Sequence, residues 1–164
     1  MKAEQIIAEA KSWIGTNYHH QGRLKRSSSC KGGVDCIGLI MGVAKELNLV
    51  SKTGSLIMEH DAIDYTPYPD GIRLKAFLDT HMIYIDKNDV EPGDVLLFKF
   101  FTDPQHLAMA SDYFEENLSI IHSYSSSDQV VEHILSASWQ RMLICGYRFA
   151  DFGYITDRSV PSNI

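Results

Sequence analysis

The hydrophobic pattern of this chain changes period once, near Glu91, and that change limits the architectures open to it. Before it, apolar residues recur at three and four. Ile6, Ile7, Ala10, Trp13 and Ile14 make one stripe over about residues 3–14, and Ile40, Val43, Ala44 and Leu47 make another over about 35–47. Such spacing buries one face of a helix. After it, Glu91-Pro92-Gly93-Asp94 forms a turn, and residues 95–101 follow as a nearly continuous apolar run. That is the pattern of a strand in the middle of a sheet. Further strands are predicted over 106–111, 118–124, 130–135 and 144–149. The links between them, over 102–104, 112–117 and 125–128, have hairpin length and turn residues. Helices first and an antiparallel meander second give an α+β chain with N-terminal helices on a sheet of about five strands.

The remaining segments punctuate this order. Gly15 ends the first helix, and residues 16–33 read as a polar loop carrying Ser27-Ser28-Ser29 and Gly32-Gly33. Asp35 is a good N-cap type for the second helix. Pro67, Pro69 and Asp70-Gly71 mark a turn in an irregular middle region, with a short third helix predicted over 72–78. Residues 151–164 read as a tail, which leaves 1–150 as one domain, in keeping with 164 residues in all and 45% apolar content. The net charge of −6 argues against a nucleic-acid partner. Arg23, Lys25, Arg26 and Lys31 cluster locally, as a solvated loop or as a substrate or polyanion site. The start lacks the basic and apolar regions of a secretory signal, and no apolar run approaches the ~20 residues of a membrane span. The expectation is cytoplasmic synthesis, with any target beyond it reached by other delivery.

Three cysteines, Cys30, Cys36 and Cys145, form no C-x-x-C pair and cannot all pair with one another, which fits a reduced compartment. Cys36 sits where a Gly-rich loop turns into a helix. Free N–H groups and a partial positive charge there favour a thiolate, the nucleophilic form. A thiolate needs a base, and the base needs a third group to fix its tautomer. His106 and His122 straddle a predicted hairpin almost symmetrically about Phe114, so both side chains fall on one sheet face as near neighbours. A Cys36–His106–His122 triad follows from that pairing. Blander readings compete with it. A cysteine among apolar residues is commonly an inert core thiol, the reading that suits Cys145, and Cys30 reads as an incidental exposed thiol. Zinc on Cys36, His106 and His122 would want a fourth ligand in a short pair spacing, which the sequence lacks; no metal or other cofactor is expected. His60, His81 and His133 have no evident partner, while His19 and His20 lie in the loop leading to Cys36.

At this point the chain resembles the NlpC/P60 cysteine peptidases. Trp13-Ile14-Gly15-Thr16-Asn17-Tyr18 is similar to their W-x-G-T-x-Y opening, and Asp35-Cys36-Ile37-Gly38-Leu39 to their D-C-x-G nucleophile element. Residues 92–98 are similar to their P-G-D strand, His106-Leu107-Ala108-Met109 to the base strand, and Ile120-Ile121-His122-Ser123 to the strand of the third polar residue. The five elements stand in order over roughly residues 3–149. The resemblance implies a circularly permuted papain-like fold, with Cys36 as nucleophile, His106 as base and His122 as orienting residue. Tyr18 and Asp35 would lie on the substrate and oxyanion side. It also implies an amide substrate in peptidoglycan stem peptides. Ile37 stands where many members have Ser, and Leu107-Ala108 where many have Val-Gly.

The nearest flavour is that of phage tails and gene transfer agents. His20-Gln21-Gly22-Arg23, Val130-Val131-Glu132, and Trp139 followed by Gly146-Tyr147-Arg148-Phe149 carry it. It implies particle proteins as partners and delivery to the cell wall on the particle. Two other readings stay open: an acyltransferase or amidase on another small substrate, and a non-catalytic tail-assembly subunit.

Overall fold

The computed structural model describes residues 3–67, 70–100 and 103–150. Helix α1 (Ala3–Ser12) buries Ile6, Ile7 and Ala10, the apolar stripe of the sequence. A polar stretch follows and holds a two-stranded antiparallel ribbon, β1 (Arg23–Leu24) with β2 (Gly33–Val34). Helix α2 (Cys36–Glu46) comes next, capped by the Asp35 carboxylate, which accepts from the Gly38 N–H at 2.8 Å. The middle region contains a short 3-10 turn (Ile57–His60) and helix α3 (Gly71–His81), the latter longer than the predicted 72–78. Then come β3 (Ile83–Ile85), β4 (Val95–Phe100), β5 (Asp103–Phe114), β6 (Asn117–Tyr124), β7 (Gln129–Ile134), α4 (Ala137–Met142) and β8 (Leu143–Arg148).

The main sheet has six strands, in the order β3-β8-β4-β5-β6-β7, against the five expected. The added strand is the three-residue edge β3, too short for period-2 alternation to register in the sequence. Helix α4 is a further addition; its six residues are too few to display a 3.6-residue period in the sequence. The β5–β6 turn is tighter than the predicted 112–117. Phe114 pairs with Asn117, leaving Glu115 and Glu116 at the tip, with Glu115 at φ 55°. The expected tail (151–164), Pro69 in the expected turn, Phe101 in the predicted strand and Thr102 in the predicted link lie outside the described residues.

The run Val95–Phe98 is continuous because both sheet faces are covered. Val95 and Leu97 join the cluster formed with α1, α2 and α3, whereas Leu96 and Phe98 join Ala108, Ala110, Leu118 and Ile120 on the face that α4 covers. Cys145 is buried on the first of these faces, as a core thiol. Among the described residues no helix is long and apolar enough to cross a membrane.

One glycine pins the loop to the start of α2. A Cβ at Gly38 would lie 2.1 Å from the Gly22 carbonyl oxygen and 2.8 Å from a Val34 methyl, far inside van der Waals contact. The loop backbone therefore rests directly on the helix two residues past Cys36. Gly38→Ala is expected to destabilise the protein by about 3 kcal/mol through this overlap. A thermal melt of the variant should show a midpoint lower by about 6–12 °C; an unchanged midpoint would mean the loop yields freely.

Candidate active site

Cys36 is the first residue of α2, and the groups around it are organised by the Asp35 carboxylate. Besides capping the helix, that carboxylate accepts from the Gln21 N–H at 2.7 Å, the Tyr65 hydroxyl at 2.6 Å and Arg23 Nη1 at 3.3 Å. Arg23 also donates to both oxygens of Asp61, at 2.8 and 2.9 Å, and to the Tyr65 hydroxyl at 3.0 Å. The Tyr65 carbonyl in turn accepts from His20 Nε2 and Gln21 Nε2. The segment 61–65 is thus stitched across the 20–23 loop, above the helix start. Burial opposes the Arg23 charge, but the bonds to Asp61 and Tyr65 outweigh it and hold the guanidinium above its ordinary range. Burial, and then the bond to Asp35, raise the Tyr65 phenol, so it stays a donor.

This network resolves the basic cluster of the sequence. Arg23 is spent on Asp35, Asp61 and Tyr65, and Lys25 Nζ lies 2.8 Å from Glu9 Oε1. Two of the four cations are therefore paired within the fold.

The imidazoles come from neighbouring strands of the main sheet. In β5 and β6, Met109 faces Ile121 and Ala110 faces Ile120. Carried back, that register sets His122 level with Ala108, so His106 lies two residues along rather than directly opposite. The even offset keeps both rings on one face, as expected, but as diagonal neighbours. The offset has two sources: the hairpin tip lies between Glu115 and Glu116 rather than at Phe114, and a register shift between Ala110 and Tyr113 restores the even spacing that the tip alone would break. His106 Nε2 and His122 Nδ1 are 2.7 Å apart. Both residues are buried, His106 4% exposed and His122 not at all.

A third ring continues the row. His122 Nε2 lies 2.8 Å from His133 Nε2, and His133 Nδ1 lies 2.9 Å from the Ile134 carbonyl. The expectation that His133 has no partner is overturned. In β6 and β7 His122 pairs with Val131, which places His133 two residues further on the same face. The period-2 parity that linked His106 to His122 could have found it. His60 and His81 are not solitary either: their rings stack at 4.1 Å, and His60 Nε2 lies 2.7 Å from Ser55 Oγ.

Aromatic side chains enclose the row. Phe100 stacks on His106 at 5.3 Å and Tyr124 on His122 at 5.4 Å. The Trp139 indole, from α4, stands 5.8, 4.9 and 5.4 Å from the rings of His106, His122 and His133. Burial, reinforced by the neighbouring imidazoles, pushes His106 well below the ordinary imidazole range and His122 down to about 3. Both are neutral at physiological pH.

Cys36 and His106 open on one groove of about 650 Å³, with Tyr18, His20, Asp35, Tyr65 and Thr66 along its walls. The structure therefore brings together Cys36, His106, Tyr18 and Asp35 at one groove, with His122 bonded behind His106. Asp35 itself serves as cap and clamp. The Cys36 sulfur sits against β5 at Leu107, whose N–H is among its backbone hydrogen-bond donors. Those donors, with the N–H groups of Ile37 and Cys36, favour the thiolate. They are outweighed by burial and then by the adjacent Asp35 carboxylate, which push the thiol up to about 12. The expectation of a thiol ionised by its helix start is thus corrected. At rest the groove holds a neutral thiol and a neutral imidazole.

Among solved structures, an NlpC/P60 family protein from Bacillus cereus ATCC 10987 aligns with TM-score 0.59 at 18% identity, covering 90% of this chain and 40% of its own. This chain thus spans less than half the length of that protein. The NlpC/P60 domain of the peptidoglycan hydrolase SagA aligns with TM-score 0.57 at 20% identity, covering 90% of this chain and 98% of its own. The chain has the NlpC/P60 fold. An N-acetylmuramoyl-L-alanine amidase from Bacteroides uniformis shares that fold too, with TM-score 0.54 at 13% identity over 90% of this chain and 98% of its own. No protein-family profile matches the sequence, and no curated protein matches it significantly. The NlpC/P60 fold is the papain-like α+β arrangement that the sequence resemblance implied.

Proposed function

We propose that this protein is a cysteine hydrolase of amide bonds in peptidoglycan stem peptides, with Cys36 as nucleophile, His106 as base and His122 as its orienting group. The single observation that carries the reading is a thiol and a buried, hydrogen-bonded imidazole row meeting at one groove. Fold neighbours described as a peptidoglycan hydrolase and an N-acetylmuramoyl-L-alanine amidase support the substrate class.

The chemistry proceeds in two halves. The Cys36 proton passes to His106 Nδ1 as Sγ adds to the scissile carbonyl carbon. Backbone N–H donors at the start of α2, with Tyr18, face the oxyanion. Collapse breaks the C–N bond, His106 returns the proton to the departing amine, and a thioester remains. Water then adds to the thioester while His106 takes its proton, and the acid leaves as Cys36 regains its hydrogen. Because the resting pair is neutral, the thiolate forms only as the carbonyl is attacked, which limits side reactions of the free thiol.

The setting we propose is a phage-tail or gene-transfer-agent particle, with tail proteins as partners and the wall reached on the particle. The sequence elements around Arg23, Val131 and Trp139 support it. The test is incubation of the protein with purified sacculi of several wall types and mass spectrometry of the released muropeptides. New free amino groups at one stem-peptide position are expected. Intact sacculi of every type would overturn the substrate assignment, and transfer products dominating when an amine is added would replace hydrolysis with acyl transfer.

A further inference from the structure

The row of rings does not stop at the third member of the proposed triad. His133 bonds on one side to His122 and on the other to the Ile134 carbonyl, an atom that can only accept. That end condition fixes every proton in the row. His133 must carry its hydrogen on Nδ1, so its Nε2 accepts. His122 must then donate from Nε2 and accept at Nδ1. His106 must donate from Nε2, which leaves a lone pair on Nδ1 for the proton of a thiol.

We propose that His133 is a positioning residue that sets the tautomer of the base, and that a proton arriving at His133 turns the base off. The inference rests on the reading of Cys36 and His106 as nucleophile and base. A proton on His133 Nε2 makes that atom a donor facing the His122 Nε2–H. The conflict is relieved only if His122 moves its hydrogen to Nδ1, and His106 must then move its own to Nδ1. Each inner ring keeps one proton and changes only where it sits. The base now shows an N–H where it needs a lone pair.

The surroundings make His133 the point of entry. It is half-buried, whereas His106 and His122 are buried beneath Phe100, Tyr124 and Trp139. The rings packed on it are His122 from β6 and the uncharged Trp139 indole from α4. Among the described residues, the titratable groups it faces are thus His122 and, behind it, His106. Its strand neighbour Glu132 alternates to the opposite face, where it accepts from Ser111 at 2.6 Å and lies 3.9 Å from Lys11.

Three variants and two substrate-free readouts test this in the full chain. Nitrogen-15 spectra of the imidazoles at neutral pH should show His106 and His122 protonated on Nε2 and His133 on Nδ1. His133→Leu removes the acceptor and leaves the buried His122 N–H unpaired; it should stay folded with a midpoint lower by a few degrees, lose about tenfold in kcat with KM unchanged, and slow alkylation of Cys36 by iodoacetamide, followed by mass on the Cys36 peptide. His133→Gln offers a carbonyl acceptor that does not titrate. It should hold activity within about threefold of the wild type and lose the wild-type fall in rate toward acid. His133→Lys presents a permanent donor and should resemble the acid form at every pH. A His106 found protonated on Nδ1 at neutral pH overturns the proposal. So does a His133→Leu protein matching the wild type in pH profile and alkylation. Tautomers and alkylation behaving as stated, with no wall substrate cut, would uphold the positioning role and remove only the assigned substrate.

Discussion

Cys36→Ala should abolish release of muropeptides from purified peptidoglycan, by at least about 10⁴-fold, while the fold persists. The size follows from the chemistry: without the sulfur there is no thioester, and the base has nothing to activate. The fold should persist because Asp35 supplies the cap of α2, and the N–H groups of Leu107, Ile37 and Cys36 lose only a thiol sulfur, a weak acceptor. A melting midpoint within about 2 °C of the wild type is therefore expected. Cys36→Ser should be nearly as inactive. His106 is held well below the ordinary imidazole range by burial and by His122, too weak a base to draw a proton from an alcohol. Residual turnover above about 1% in Cys36→Ala would move the nucleophile elsewhere.

The second large effect is on stability. Asp35→Ala removes an acceptor that serves the Gly38 N–H, the Gln21 N–H, the Tyr65 hydroxyl and Arg23 together. Asp35 is 4% exposed, so water cannot replace it freely. A lost cap costs about 1 kcal/mol. A buried cation that loses a partner raises the total to about 4 kcal/mol, though Arg23 keeps Asp61. Differential scanning calorimetry should show the midpoint fall by about 8–16 °C. Asp35→Asn should fall between, since its carbonyl still accepts from the helix while its NH₂ faces donors. The segment 61–65 should also loosen, seen as faster amide exchange at Tyr65. An Asp35→Ala protein as stable as the wild type would show that the stitching is decorative.

The sequence was most legible where a residue's neighbours follow from period alone. The stripes of α1 and α2 and the run at β4 are readable, because parity and the 3.6-residue repeat are local rules; the shared face of His106 and His122 also needs the register shift between Ala110 and Tyr113, which no spacing displays. What escaped had other causes. β3 and α4 are too short to display a period. His133 needed the parity argument carried across one more hairpin. Tyr65 and Arg23 meet Asp35 from distant points of the chain, and no spacing rule links such positions. The thiol's resistance to ionising was hidden as well: the helix start is visible in the sequence, whereas the desolvation that overrides it depends on packing.

The imidazole row is assembled by three consecutive antiparallel strands joined by tight turns, whereas the sulfur arrives on a helix encoded far upstream. The two halves of the site therefore differ in contact order. Pairing between neighbouring strands closes short loops and is entropically cheap. Docking of α2 closes a long one. Strand pairing alone can thus assemble the imidazole row, and the thiol joins it at the groove only when the helix seats, so a partly folded chain would carry the proposed base without its nucleophile in place.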